Sequence, residues 1–163
     1  ATALHDSFRA DVNVIMVGEM RDKETMATAV SAAETGHLVF STLHTNSASQ
    51  AIDRILDSFE ASQQSQIRIQ LASSLSGIFS QRLIPKISGG RVPAYELLIN
   101  NAAVANLIRD KRTHEIDTVI ETSSQLGMID FNRCLVERVN QGAITLENAY
   151  LYSNNPKTLE KML

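Results

Sequence analysis

The sequence predicts an α/β fold: a parallel sheet first, then a β-hairpin, then a C-terminal helical appendage. Three observations predict it. Two short apolar runs, 14–17 and 37–43, flank a helical pattern, and strand–helix–strand in that order makes one βαβ unit. Ser88-Gly89-Gly90 separates two strand-like runs, which is a hairpin signature. After Asn100 only short helical patterns with clear caps follow. The expected division is therefore 1–99 for the α/β part and 100–163 for the helical part.

Each element has its own signal. Residues 1–10 carry Leu4 and Phe8 four apart on one helical face. The chain opens on Ala1 inside that pattern, so a piece of a longer chain is expected. The run 12–17 is unbroken apolar from Val14 to Val17 and stops at Gly18, which reads as a strand buried on both faces. Asp22 is suited to cap the next helix, and Glu24 suits its first turn. Met26, Ala29, Val30 and Ala33 share one face of that helix, and Gly36 suits the left-handed residue that ends it. The second strand, 37–43, closes in His44-Thr45-Asn46. Crossovers of this kind are nearly always right-handed and parallel.

Helices are expected over 47–57, with Ala48, Ala51, Ile52, Ile55 and Leu56 inward, and over 62–76, with Ile67, Leu71 and Leu75 inward. Hairpin strands follow over 78–84 and 91–99, with Pro85 and Pro93 marking strand ends or an edge. The closing helices read as 101–111, 115–125, 131–141, 145–152 and 156–162. Gly127 and Gly142 end helices; Asp130 and Thr145 cap them; Asn155-Pro156 joins a cap to proline at the first helical position.

The totals narrow the function. The 163 residues suffice for one domain and a small appendage. A net charge of -3 gives no electrostatic footprint for nucleic acid, and the absence of Trp argues against base-stacking platforms. One cysteine, Cys134, makes no intramolecular disulfide, in keeping with a reducing compartment. No apolar run approaches the roughly 20 residues that span a bilayer. His5 and His114 lack ligand-type spacing, so zinc is not expected.

The chemistry concentrates at strand ends. In an open parallel sheet, ligands bind beyond the carboxyl ends of the strands. Glu19 and His44 stand at those ends. A carboxylate there can reach a metal-bound water, and an imidazole N–H can reach a phosphate oxygen. Thr42, Thr45 and Asn46 stand beside His44 and can orient it. The plainer reading makes Glu19 a solvated strand end paired with Arg21, and His44 a strand-end residue capping the next helix. His37 lies at the start of its strand, at the far edge from Glu19. None of the seven glycines is followed by lysine, so no G-x-x-x-x-G-K-[ST] loop is present within these residues. Without that cradle of N–H groups the chain alone should bind nucleotide weakly and hydrolyse it hardly at all.

Two long motifs carry a family resemblance. Val14-Ile15-Met16-Val17-Gly18-Glu19-Met20-Arg21-Asp22 resembles the Walker B segment of the secretion ATPases, and residues 33–46 resemble their His box. Residues 103–110, Ala-Val-Ala-Asn-Leu-Ile-Arg-Asp, are similar to the C-terminal motif of the type IV pilus retraction motors. The likeness covers nearly the whole chain, but only the C-terminal half of such a motor. It implies a RecA-like core, of which this is part, and a homo-hexamer with ATP at subunit boundaries. It implies Glu19 as the Walker B acid supporting Mg²⁺, His44 as the histidine that contacts or senses the γ-phosphate, and His37 as the first His-box histidine. Thr42 and Arg21 join the nucleotide site on the same ground. Arg9 and Arg21 would serve charge stabilisation or a subunit contact. A cytoplasmic place, peripheral to the inner membrane beside a pilus assembly platform protein, follows from the resemblance too, without nucleic acid or membrane insertion. Departures exist: His5, Val12 and Asn13 replace Arg, Pro and Asp, Ala105 replaces a central Arg, and Asp110 replaces Glu. A lost guanidinium removes five donors and a fixed charge. The competing expectation is a non-catalytic accessory module that docks on a complete motor ring.

Overall fold

A computed structural model describes residues 12–163. The helix expected over 1–10, with Leu4, His5, Phe8 and Arg9, lies outside the described residues. In chain order the elements are β1 (Val14–Val17), α1 (Lys23–Glu34), β2 (Leu38–Ser41), α2 (Ala48–Asp57), α3 (Ala61–Ser74), β3 (Gly77–Pro85), β4 (Arg91–Ile99) and α4 (Ala102–Arg109). A 3₁₀ turn (Thr113–Glu115), α5 (Ile116–Thr122), a second 3₁₀ turn (Ser124–Leu126), α6 (Phe131–Asn140), α7 (Leu146–Tyr152) and α8 (Pro156–Met162) complete the chain.

The chain forms two compact units. One comprises the described residues up to Thr45, with Ser49–Ser76 and Asn100–Glu115. Here β1 and β2 pair in parallel, Val14 opposite Leu38 and Val17 opposite Ser41. Asp22 caps α1 by accepting from Thr25 N–H at 2.8 Å, and Gly36 takes φ 101°, a conformation that favours a residue without Cβ. The helix α3 packs on both α1 and α4, burying Met26, Ala29, Val30, Ile67, Leu71, Val104 and Ile108. Asn100 Nδ2 donates to Ala72 O and Leu75 O, satisfying carbonyls that α3 leaves open at its end.

Within this chain the first strand is not buried on both faces, contrary to expectation. Ile15 is buried, but Val14, Met16, Leu38 and Phe40 are exposed. Successive strand residues point to opposite faces, and α1 packs against β2. An apolar run does not reveal which face receives cover.

The other unit comprises Asn46–Ala48, Gly77–Ile99 and Ile116–Leu163. β3 and β4 form the expected antiparallel hairpin, in register from Gly77 opposite Ile99 to Pro85 opposite Arg91. Gly77 is required there, since a Cβ would stand 2.7 Å from Leu98 O. The inner face of the hairpin meets α6, and Ile84, Ala94, Phe131, Cys134, Leu135, Ile144, Ala149 and Leu159 make a closed core. Asp130, Thr145 and Asn155 cap their helices through side-chain oxygens, as expected. The helix expected over 115–125 is shorter, because Ser124–Leu126 tighten into a 3₁₀ turn that Gly127 ends at φ 87°. The boundary expected at residue 99 does not coincide with the division between the units: the hairpin groups with the later helices, and Asn100–Glu115 with the earlier ones. The cause is packing at long sequence separation, such as β4 against α6 and the Leu97–Ile129 backbone bridge.

Candidate nucleotide-side site

The site grows from the ends of the parallel pair. Beyond the strands the backbone pairing continues for one more step, where Met20 N–H donates to Thr42 O at 3.2 Å. Thr42 Oγ1 donates to Gly18 O at 2.5 Å. These two bonds lace Gly18–Met20 to Thr42. They bring the residues after β1 and β2 side by side, as the parallel register requires.

That lacing sets Glu19 against His44. Nε2 of His44 lies 3.1 Å from Glu19 Oε1, and Arg21 Nη2 lies 2.7 Å from Glu19 Oε2. The imidazole and guanidinium N–H groups donate; the carboxylate accepts. Glu19 is three-quarters covered, while Arg21 and His44 are largely exposed. Each carboxylate oxygen thus holds one donor, and an ionised carboxylate with about four lone-pair sites keeps capacity for more. Both plain and functional readings of Glu19 are present at once: the Arg21 pair exists, and so does the contact with His44.

The remaining candidates separate. His37 precedes β2, at the opposite end from His44, and Leu38 N–H bonds to Asn13 O there. Its Nδ1–H donates to Ala32 O at 3.1 Å, with Thr35 Oγ1 3.2 Å away. Within this chain His37 anchors the end of α1 and is not brought to Glu19. Thr42 contributes through the Gly18 bond. Cys134 is buried in the hairpin core.

The donor set suits a hard cation with its own water shell. Among the described residues no group of three or more His, Cys, Asp or Glu could cage a metal. Mg²⁺ keeps several waters and takes only one or two carboxylates beside substrate phosphates, so a single carboxylate such as Glu19 is chemically compatible with it. Two charged residues escaped the sequence reading, Arg82 and Glu96. Strand alternation puts them on the face that carries Ile84, Ala94 and Leu98, which was the available signal.

Comparison with known proteins then gives a consistent answer. Residues 1–150 match the family described as Type II/IV secretion system protein. The chain is 48% identical over 147 residues to the "Type IV pilus retractation ATPase PilT" of Pseudomonas aeruginosa, covering 90% of this chain and 43% of that protein. It is 44% identical over 160 residues to the "Twitching motility protein" of Neisseria gonorrhoeae, covering 98% and 43% respectively. Its fold matches the crystal structure of the pilus retraction motor PilT with bound ADP at a TM-score of 0.90 and 52% identity, covering 99% of this chain and 46% of that one. The chain spans less than half the length of these relatives.

Proposed function

This chain belongs to the type II/IV secretion system protein family, and we propose that it is the C-terminal portion of a hexameric secretion-type ATPase that powers type IV pilus retraction, and so twitching motility. The observation that carries the reading is the Glu19–His44 contact at the carboxyl ends of two adjacent parallel strands. The relatives named as a pilus retraction motor and a twitching motility protein support it.

The roles follow from the donors and acceptors. Glu19 would hold Mg²⁺ through the ion's water shell, using a carboxylate lone pair that its two present donors leave available. The ion, when bound, supplies neutralisation of phosphate charge. His44 turns its Nε2–H from Glu19 to a γ-phosphate oxygen, and Arg21 adds a guanidinium to the same charge. Thr42 keeps the two strand ends in step by its bond to Gly18 O. His37 acts away from the Glu19–His44 pair of its own chain. The phosphate loop lies outside these 163 residues, at a boundary completed in the hexamer. The motor works in the cytoplasm, peripheral to the inner membrane, on a pilus assembly platform protein. Among the described residues no helix is long and apolar enough to cross a membrane.

The test uses the intact gene product. Mg²⁺-dependent ATP hydrolysis is expected, with pilus retraction restored to a strain lacking the gene. Glu19→Gln should abolish both, with about 10²-fold or greater loss of kcat. An intact protein that neither hydrolyses ATP nor restores retraction would establish the accessory module instead.

A further inference from the structure

Glu19, Arg21 and His44 belong to one unit and meet at one carboxylate. Nη2 of Arg21 is placed on Oε2 of Glu19, and Nε2 of His44 on Oε1. The two oxygens are therefore divided between two partners. Arginine and carboxylate otherwise favour a fork on a fork. Arg112 and Glu115 of the same unit do so, with bonds of 2.5 and 2.6 Å to separate oxygens. Arg21 shares its carboxylate with His44 and is held less firmly.

The backbone around the pair is fixed. Met20 N–H donates to Thr42 O, Thr42 Oγ1 donates to Gly18 O, and Asp22 Oδ1 accepts from Thr25 N–H. Arg21 thus stands between two tethered residues, Met20 and Asp22. Its side chain is not fixed in this way: 78% of it is exposed, against 23% of Glu19. An exposed ion pair adds little to stability, so leaving Glu19 costs Arg21 little. The group free to move at this strand end is the guanidinium, by the fast side-chain rotation of an exposed residue.

This pairing bears on the cation. A dication held through its water shell is attracted by the Glu19 carboxylate and repelled by a guanidinium on the same group. A lone pair stays available on Glu19, but the charge around it is already balanced. Phosphate gives the guanidinium a better partner, because its several charged oxygens match the fork.

We propose that Arg21 is an exchange latch on Glu19: it balances the carboxylate until phosphate draws the guanidinium away, and so ties capture of the cation to arrival of the phosphate. The proposal rests on the reading of Glu19 as the Mg²⁺-side acid. Coupling of this kind is reciprocal, so a cation at Glu19 also frees Arg21 for phosphate.

The test titrates the intact protein with Mn²⁺ alone, followed by electron paramagnetic resonance, and separately with ATP in excess chelator. Arg21→Ala should tighten Mn²⁺ binding by about two- to fivefold, the range over which exposed ion pairs act. It should weaken metal-free ATP binding by a similar factor, since the guanidinium is lost to the phosphate. Arg21→Lys keeps the charge and should stay near the parent in Mn²⁺ affinity. Glu19→Gln should weaken Mn²⁺ binding, and adding Arg21→Ala to it should give no tightening, because the effect runs through that carboxylate. Arg21→Gln replaces Arg21→Ala should the latter unfold. Opposite signs for cation and nucleotide separate a latch from a structural arginine, whose loss would weaken both. An Arg21→Ala protein that binds Mn²⁺ no more tightly than the parent overturns the latch. So does unchanged ATP affinity, or equal tightening on the Glu19→Gln background. These readings need no hydrolysis, so an intact protein that shows them without turning over ATP would remove the proposed function and leave the latch standing.

Discussion

The parallel pair and the hairpin bury small sheets in different ways. β1 and β2 have four residues each, and four of their seven apolar side chains face outward, with Met16 68% exposed. β3 and β4 have nine residues each and lie on a closed core in which Ile84, Ala94, Leu135 and Leu159 are fully buried. The candidate chemistry sits on the strand pair with less cover. Its geometry comes from hydrogen bonds and ion pairs at the strand ends, whereas that of the hairpin comes from packing. Polar groups at strand ends can change partner, which a close-packed core forbids.

Four substitutions break or sharpen that contrast. Leu135→Ala should cost about 2–5 kcal/mol, read by chemical denaturation, because it opens a cavity in the hairpin core. Glu96 gives the next effect. Burial pushes its carboxyl up to about 7, with Asp117 and Asp130 adding to the rise and the Ala48 N–H and Arg82 opposing it. The folded state then binds a proton that the unfolded chain has lost, so stability should fall as pH rises from about 4.5 to about 7, by up to roughly 3 kcal/mol. Glu96→Gln should flatten that slope; an unchanged slope would assign it elsewhere. Thr145→Ala removes the cap bond to Asn148 N–H and should cost about 1 kcal/mol, seen as faster exchange at the start of α7. Met16→Ser should change stability by no more than about 0.5 kcal/mol. A cost near that of Leu135→Ala would show that the outward face of the parallel pair is covered and would erase the contrast.

Much of this architecture was legible because the signals are local. Asp22, Asp130, Thr145 and Asn155 cap helices through oxygens that reach N–H groups three residues on, so sequence spacing suffices. Gly36 and Gly127 mark left-handed positions in the same way. The meeting of Glu19 and His44 was legible because both follow strands of one βαβ unit, and parallel register brings equivalent ends together. What sequence missed depends on partners remote in the chain. The outward Met16 and Phe40 look identical to core residues until the neighbouring layer is known. Glu96 reads as a solvated strand residue until the N–H of Ala48, 48 positions away, is found against it. The grouping of the hairpin with the later helices rests on side-chain packing that no local pattern encodes.

The central claim is that Glu19 and His44 serve one phosphate group. A double-mutant cycle on ATP hydrolysis by the intact protein tests it directly, using Glu19→Gln, His44→Ala and the pair. Groups that act as a unit lose far less together than the product of their separate losses, so the pair should be about as slow as the worse single variant. Losses that multiply, or a His44→Ala enzyme with parent kcat, would contradict a shared site.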